Sequence, residues 1–313
     1  MEDQSMKETI MSNKKIFLFL LCSVQLYANK EPQEPAKKHA IFDLQVLIEP
    51  DRAKAVNLLG GYIKIGWQMG SDAPNLENIF IQTLNSLSDE QHPTIIWKGE
   101  QAPPSICQLV TSEKPHEKIH EDVLSKIDKT APKYPDFMKR LADFAFLPEK
   151  NATVTKPVDD ALTLAKELNN KGYTVHIFGN YGAEAFKKIQ EKHPKVTKHI
   201  TGQKIVSGEM KKPKNTESYK EFCVKAGINI EQDTCLFIEA EQEYQKMAAS
   251  ILPQSNHHKA VWCEKRDFKK LRSQIQPFLE SPRTLPHLQR SNSVAKITQL
   301  ANAAPSQVSV AAP

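Results

Sequence analysis

The stretch His39-Ala40-Ile41-Phe42-Asp43-Leu44-Gln45-Val46-Leu47-Ile48 decides how this chain is read. A short apolar run leads, with no turn former, to an aspartate, which is the pattern of a buried strand that carries a carboxylate to its end. Downstream, helix and strand alternate. Val158, Ala161, Leu162, Ala165 and Leu168 share one helical face, and Gly172 stops that helix. A strand is expected over 173–178, a helix over 183–193 closed by Pro194, and a short strand over 204–206. A helix over 216–226 has Thr216 or Asn215 as N-cap and Gly227 as its stop. A strand over 234–238, a helix over 241–251 and a last strand over 259–262 follow. The final helix, over 267–279, turns Phe268, Leu271 and Ile275 inward.

Alternation of this kind predicts a doubly wound α/β fold, a parallel sheet covered on both faces through right-handed crossovers. Ligands gather at the carboxyl ends of such strands. Asp43, Gly179-Asn180 and Glu239-Ala240 all fall there, and that convergence carries more weight than any segment alone. Residues 56–149 break the alternation. Segments 75–87 and 120–129 are amphipathic, with a loop-rich stretch over 91–112 between them, and Pro132 and Pro135 separate the second from a third helix over 136–146. The core is therefore expected over 39–55 and 150–280, with 56–149 as a mostly helical cap inserted over the strand ends.

A carboxylate at a strand end can attack a phosphoryl group and form an aspartyl-phosphate. Such a site needs a Mg2+, a further cation and hydrogen-bond donors for the equatorial oxygens, and a second acid to protonate the leaving group. In their order, these segments resemble the haloacid dehalogenase-like hydrolases, from His39 to Leu279 apart from the cap. The resemblance makes Asp43 the nucleophile and, with the backbone carbonyl of Gln45 and the side chain of Glu239, a ligand of Mg2+. It makes Gly179 and Asn180 the phosphate-binding strand end and Lys212, beside Pro213, the cation; Lys211 and Lys214 stand near enough to take its place. Tyr219 is similar to the aromatic that follows this lysine.

The chain departs from the family pattern at the positions that carry chemistry. Gln45 replaces the acid–base aspartate, Gly179 a hydroxyl, Ala240 half of an acidic pair, and Tyr244 an asparagine. An amide shuttles no proton, and losing a general acid costs ~10²–10⁴ in rate. The expectation is a catalytically degenerate member that binds a small phosphorylated ligand or a protein partner. The alternative is a weak Mg2+-dependent phosphohydrolase acting through Asp43. A family variant that acts on halogenated acids also lacks the second aspartate, but nothing else in the sequence points to it.

The chain has 313 residues, 40% hydrophobic and 25% charged, with a formal net charge of +5 spread along its length, a distribution that argues against a nucleic-acid partner. Lys14-Lys15, the apolar run 16–24 and Ala28 have the layout of a secretory signal (1–28), and the run is short of the ~20 residues that span a membrane. Export, with no membrane contact after cleavage, is the resulting expectation; an uncleaved interfacial anchor is the alternative. Residues 29–38 read as a linker and 281–313 as a disordered tail. Cys107, Cys223, Cys235 and Cys263 are expected as buried free thiols, although Cys235 and Cys263 lie on strands of one sheet. His116-Glu117-Lys118-Ile119-His120 spells a zinc-protease pattern. Lys118 stands between the imidazoles, the flanks are polar and no third ligand motif follows, so a solvated helix face is expected.

Overall fold

The computed structural model describes residues 36–86, 95–97, 100–130 and 133–280. The expected signal, nearly all of the linker and the tail lie outside them. Strand β1 (Lys38–Phe42) turns alternate side chains to opposite faces, so that Ala40 and Phe42 pack under one helical layer and Ile41 under the other. After Asp43 come one helical turn, α1 (Leu44–Leu47), and strand β2 (Ile48–Pro50), where the chain leaves the core.

The cap consists of α2 (Arg52–Leu58), α3 (Gly61–Met69), α4 (Leu76–Ser86), the short strands β3 (Ile96–Trp97) and β4 (Glu100–Gln101), α5 (Pro104–Thr111), α6 (His116–Thr130), α7 (Pro135–Phe146) and α8 (Pro148–Thr153). Strand β5 (Thr155–Pro157) brings the chain back by pairing antiparallel with β2, Ile48 opposite Pro157 and Pro50 opposite Thr155. Glu49 and Lys156 face each other across that ribbon at 3.2 Å. The two crossings thus lie outside the expected limits of 56 and 149.

The core continues with α9 (Asp159–Asn170), β6 (Thr174–Gly179), α10 (Ala183–Lys192), β7 (Lys204–Val206), α11 (Ser207–Met210), α12 (Thr216–Lys225), β8 (Thr234–Glu239), α13 (Gln242–Ile251), β9 (His258–Trp262) and α14 (Phe268–Glu280). The five-stranded sheet runs β7-β6-β1-β8-β9, every pair parallel. From the central β1 the chain builds outward to β7, then crosses back to lay down β8 and β9 on the other side. That reversal is a topological switch point. Leu164, Phe186 and Ile275 of α9, α10 and α14 cover one face; Tyr219, Phe222, Ala248 and Ile251 of α12 and α13 cover the other. The doubly wound core with an inserted helical cap is thereby shown.

Two expectations in the cap are corrected. The stretch expected as loop-rich contains α5, which starts with Pro104 in its first turn, where the fixed φ suits a helix and no N–H is needed. Its Cys107 and Val110 pack with Ile95 and Ala102. Nor is His116 on a solvated face: it belongs to the buried stripe His116, Ile119, Val123 and Ile127 of α6. The two histidines turn to separate partners on α7, His116 Nδ1 to the Phe146 carbonyl at 3.3 Å and His120 Nε2 to Asp143 at 2.7 Å. Among the described residues no group of three or more His, Cys, Asp and Glu side chains is placed to hold a metal. Cys107, Cys223, Cys235 and Cys263 are buried free thiols, and burial pushes Cys223 and Cys235 up to about 12.

Candidate active site

The ends of β1, β6 and β8 converge beside the switch point and bring Asp43, Gly179, Asn180 and Glu239 together. Asp43 is 1% exposed. Its backbone N–H extends the ladder to the Ile238 carbonyl at 2.9 Å, which fixes where the carboxylate points. Oδ1 accepts from the Gln45 N–H at 2.9 Å and so caps α1; Oδ2 accepts from Lys214 Nζ at 3.0 Å.

The lysine of the site is therefore Lys214 and not Lys212, a correction to the sequence reading. Lys212 is partly exposed and pairs with Glu221 on α12. Lys214 directly precedes Asn215, whose side chain accepts from the Ser218 N–H at 2.8 Å while Ser218 Oγ accepts from the Asn215 N–H at 2.7 Å. This capping box holds the backbone and aims the buried side chain of Lys214 inward. All three ammonium hydrogens are used, on Asp43 Oδ2, on Glu239 Oε2 at 2.5 Å and on the Phe178 carbonyl at 3.2 Å. The rings of Phe178, Tyr219 and Tyr244 stand 5.0 to 5.3 Å from the ammonium, supplying cation–π attraction where water is excluded. Burial works against the charge, but Asp43 and Glu239 outweigh it and hold Lys214 above the usual lysine range.

Glu239 is fully buried. Burial pushes its carboxyl up to about 7; Lys214 pulls it down and Asp43 pushes it further up. Its Oε1 has no hydrogen-bond partner. Two carboxyl groups thus share one ammonium.

Gly179 and Asn180, at the end of β6, are each held against a neighbouring element. A Cβ at Gly179 would meet Leu44 Cβ at 2.7 Å, so β6 approaches α1 too closely for any side chain. The hydroxyl of the family pattern has no room here. Asn180 Oδ1 accepts from the Lys214 N–H at 2.8 Å, and Asn180 Nδ2 donates to the Tyr244 hydroxyl at 2.6 Å. That hydroxyl also accepts from the Ile96 N–H at 2.9 Å and donates to the Ile96 carbonyl at 3.0 Å. Its hydrogen-bonding capacity is exhausted. Tyr244 of the core thus ties the strand-end Asn180 to β3 of the cap, directly over the cluster. Its role was not legible beforehand; the only signal was an aromatic residue where the family pattern has an amide.

The residues present do not fit the Mg2+ that the resemblance implies. Both oxygens of Asp43 are engaged, and Lys214 fills the place between the carboxylates. Ala240 offers no side-chain oxygen. The Gln45 carbonyl, expected as a ligand, accepts instead from the Arg266 guanidinium at 3.2 Å, which also reaches the Ile48 carbonyl at 3.1 Å. The unpartnered Glu239 Oε1 alone does not make a site for an ion that demands near-octahedral oxygen coordination.

No protein-family model matches the chain, and no curated protein does. Among solved structures, the chain is similar to a dehalogenase at 14% identity and a TM-score of 0.46, over 76% of this chain and 96% of that one. A HAD family enzyme of Bacteroides thetaiotaomicron, solved as a mutant with magnesium and inorganic phosphate, aligns at 18% identity and a TM-score of 0.46, over 72% and 95% of the two chains. The L-2-haloacid dehalogenase of Xanthobacter autotrophicus, with chloropropionic acid covalently bound, aligns at 11% identity and a TM-score of 0.42, over 68% and 74%. The strand order about β1, the aspartate at its end and the inserted cap accord with the doubly wound core and cap expected from the sequence motifs.

Proposed function

We propose that this chain is an exported haloacid dehalogenase-like protein without hydrolytic turnover, which acts by binding rather than by chemistry. The observation that carries the reading is the Tyr244 hydroxyl, saturated between Asn180 and the cap backbone at Ile96 above a buried Asp43. A nucleophile must reach its substrate at about 3–3.5 Å. Here both oxygens of Asp43 accept hydrogen bonds from the protein, Gln45 donates no proton to a leaving group, and among the described residues no set of acidic side chains is arranged for Mg2+. The cluster then serves to join β1, β6, β8 and the loop before α12. A phosphorylated ligand reaches it only after Tyr244 withdraws.

One observation favours the phosphohydrolase as a second reading. Asp43 keeps a cation at 3.0 Å, and the cap is tethered to the core through the β2–β5 ribbon, a connection compatible with opening. The test is phosphate release from a broad panel of phosphate esters, with Mg2+ and with chelator, comparing wild type with Asp43→Asn. The expected result is no release above that of the variant. Turnover lost both in Asp43→Asn and in chelator would overturn the binding reading and establish the enzyme.

A further inference from the structure

A second feature of the cap is independent of the strand-end cluster. Between Asp51 and Asp72 the sequence has Arg52, Lys54 and Lys64 and no acidic residue. In the same stretch Leu58, Tyr62 and Trp67 stand 47%, 73% and 87% exposed. Helices α2 and α3 meet at Gly60-Gly61, whose φ values of 105° and 84° make a tight turn that residues with a Cβ would strain. Leu58 and Tyr62 flank that turn. On α3, Ile65 and Met69 lie one turn apart and are buried in the cap core. Helical spacing then puts Tyr62, Gly66 and Trp67 on an arc that carries no charge, with Lys64 at its border.

Leu58, Tyr62 and Trp67 leave three large apolar side chains exposed within ten residues, and such a surface marks a contact whose kind the chemistry here specifies. Indole and phenol rings have an apolar body and a polar tip, which suits the level of lipid headgroups. Lysine and arginine beside an anionic bilayer are worth about 1 kcal/mol each. The carboxylates that bound the segment are both engaged within the protein, Asp51 on the Lys54 N–H and Asp72 on Lys133 and the Tyr134 hydroxyl. We propose that the α2–α3 hairpin is a peripheral docking element for an anionic lipid surface, with Trp67 and Tyr62 seated among the headgroups and Arg52, Lys54 and Lys64 paired with them. The contact is interfacial: among the described residues no helix is long and apolar enough to cross a membrane. It departs from the expectation of no membrane contact.

The test is cosedimentation of the full chain with vesicles of phosphatidylcholine, with and without phosphatidylglycerol. Binding is expected only with phosphatidylglycerol, to weaken with salt, and to fall about tenfold in Trp67→Ser and again in Lys54→Glu/Lys64→Glu. The N-terminal apolar run is present in every variant. Binding unchanged in both variants therefore assigns the contact to that run and overturns the proposal. Equal binding to phosphatidylcholine alone overturns it too, as does a dimer that Trp67→Ser dissociates in a chain that binds no vesicle. The replaced side chains are exposed, so an unaltered thermal melt confirms that each variant is folded.

Discussion

Replacing Lys214 by methionine keeps the unbranched stem and removes the ammonium. Three hydrogen bonds go with it, to Asp43, Glu239 and the Phe178 carbonyl, and two buried carboxyls then face each other without a cation. Removing one partner of a buried ion pair costs about 3–5 kcal/mol. For a domain of this size that corresponds to a fall in Tm of roughly 10 °C. The loss depends on pH with a definite sign. Glu239, held up at about 7 against an ordinary 4.5, binds its proton more tightly in the folded state. Its contribution is present below about 4.5 and is lost as pH rises through about 7. Lys214→Met is thus expected to lose less stability at pH 5, with Glu239 protonated, than at pH 8. Adding Glu239→Gln at pH 8 should recover at least half the loss, because one carboxylate then remains instead of two. Urea unfolding followed by circular dichroism measures all three. Millimolar Mg2+ should leave the wild-type midpoint in place and raise that of Lys214→Met, whose facing carboxylates can accept a cation. A loss below about 1 kcal/mol in the single variant would refute the view that the ammonium holds the cluster together. A Mg2+-dependent rise in the wild type, abolished by Asp43→Asn, would refute the exclusion of the metal.

Tyr244→Phe leaves Asn180 Nδ2 and the Ile96 N–H and carbonyl without their shared partner, at about 1–3 kcal/mol. Faster hydrogen exchange at the Ile96 amide is the expected signature, and unchanged exchange there would dismiss the latch. At the N-terminal end of the sheet, His39 Nδ1 and His176 Nε2 lie 3.0 Å apart, and the Gln203 N–H donates to His176 Nδ1 at 2.9 Å. His176 must then carry its proton on Nε2, and neither nitrogen accepts a second without losing a bond. Burial holds it down at about 4, with His39 adding to the effect. The folded state binds fewer protons here than the unfolded chain, so this stability is present above about 6.5 and about 3 kcal/mol is lost as pH falls through about 4. His176→Asn, whose amide oxygen can accept from Gln203, should flatten that acid limb in urea titrations across pH; an identical limb in the variant would rule out His176 as its source.

The alternation of helix and strand after residue 157 is written locally. Val158, Ala161, Leu162, Ala165 and Leu168 mark one helical face and Gly172 its end, so the doubly wound core and the strand ends bearing Asp43, Asn180 and Glu239 follow from short-range pattern and the handedness of crossovers. Asn215 and Ser218 likewise announce the start of α12. The sequence alone cannot choose among Lys211, Lys212 and Lys214, which differ little in composition and neighbours. The choice was made by the turn at Lys211, whose φ is 58°, and by the capping box, which together send Lys212 to Glu221 and Lys214 into the core. The roles of Gly179, Gln45 and Tyr244 are decided by long-range approach: β6 against Leu44, Arg266 against the end of α1, and β3 of the cap against α13. Local periodicity determines which residues reach a strand end. Which of their atoms are left free for chemistry depends on groups distant in sequence that claim the same hydrogen bonds, and only the folded chain brings those competitors together.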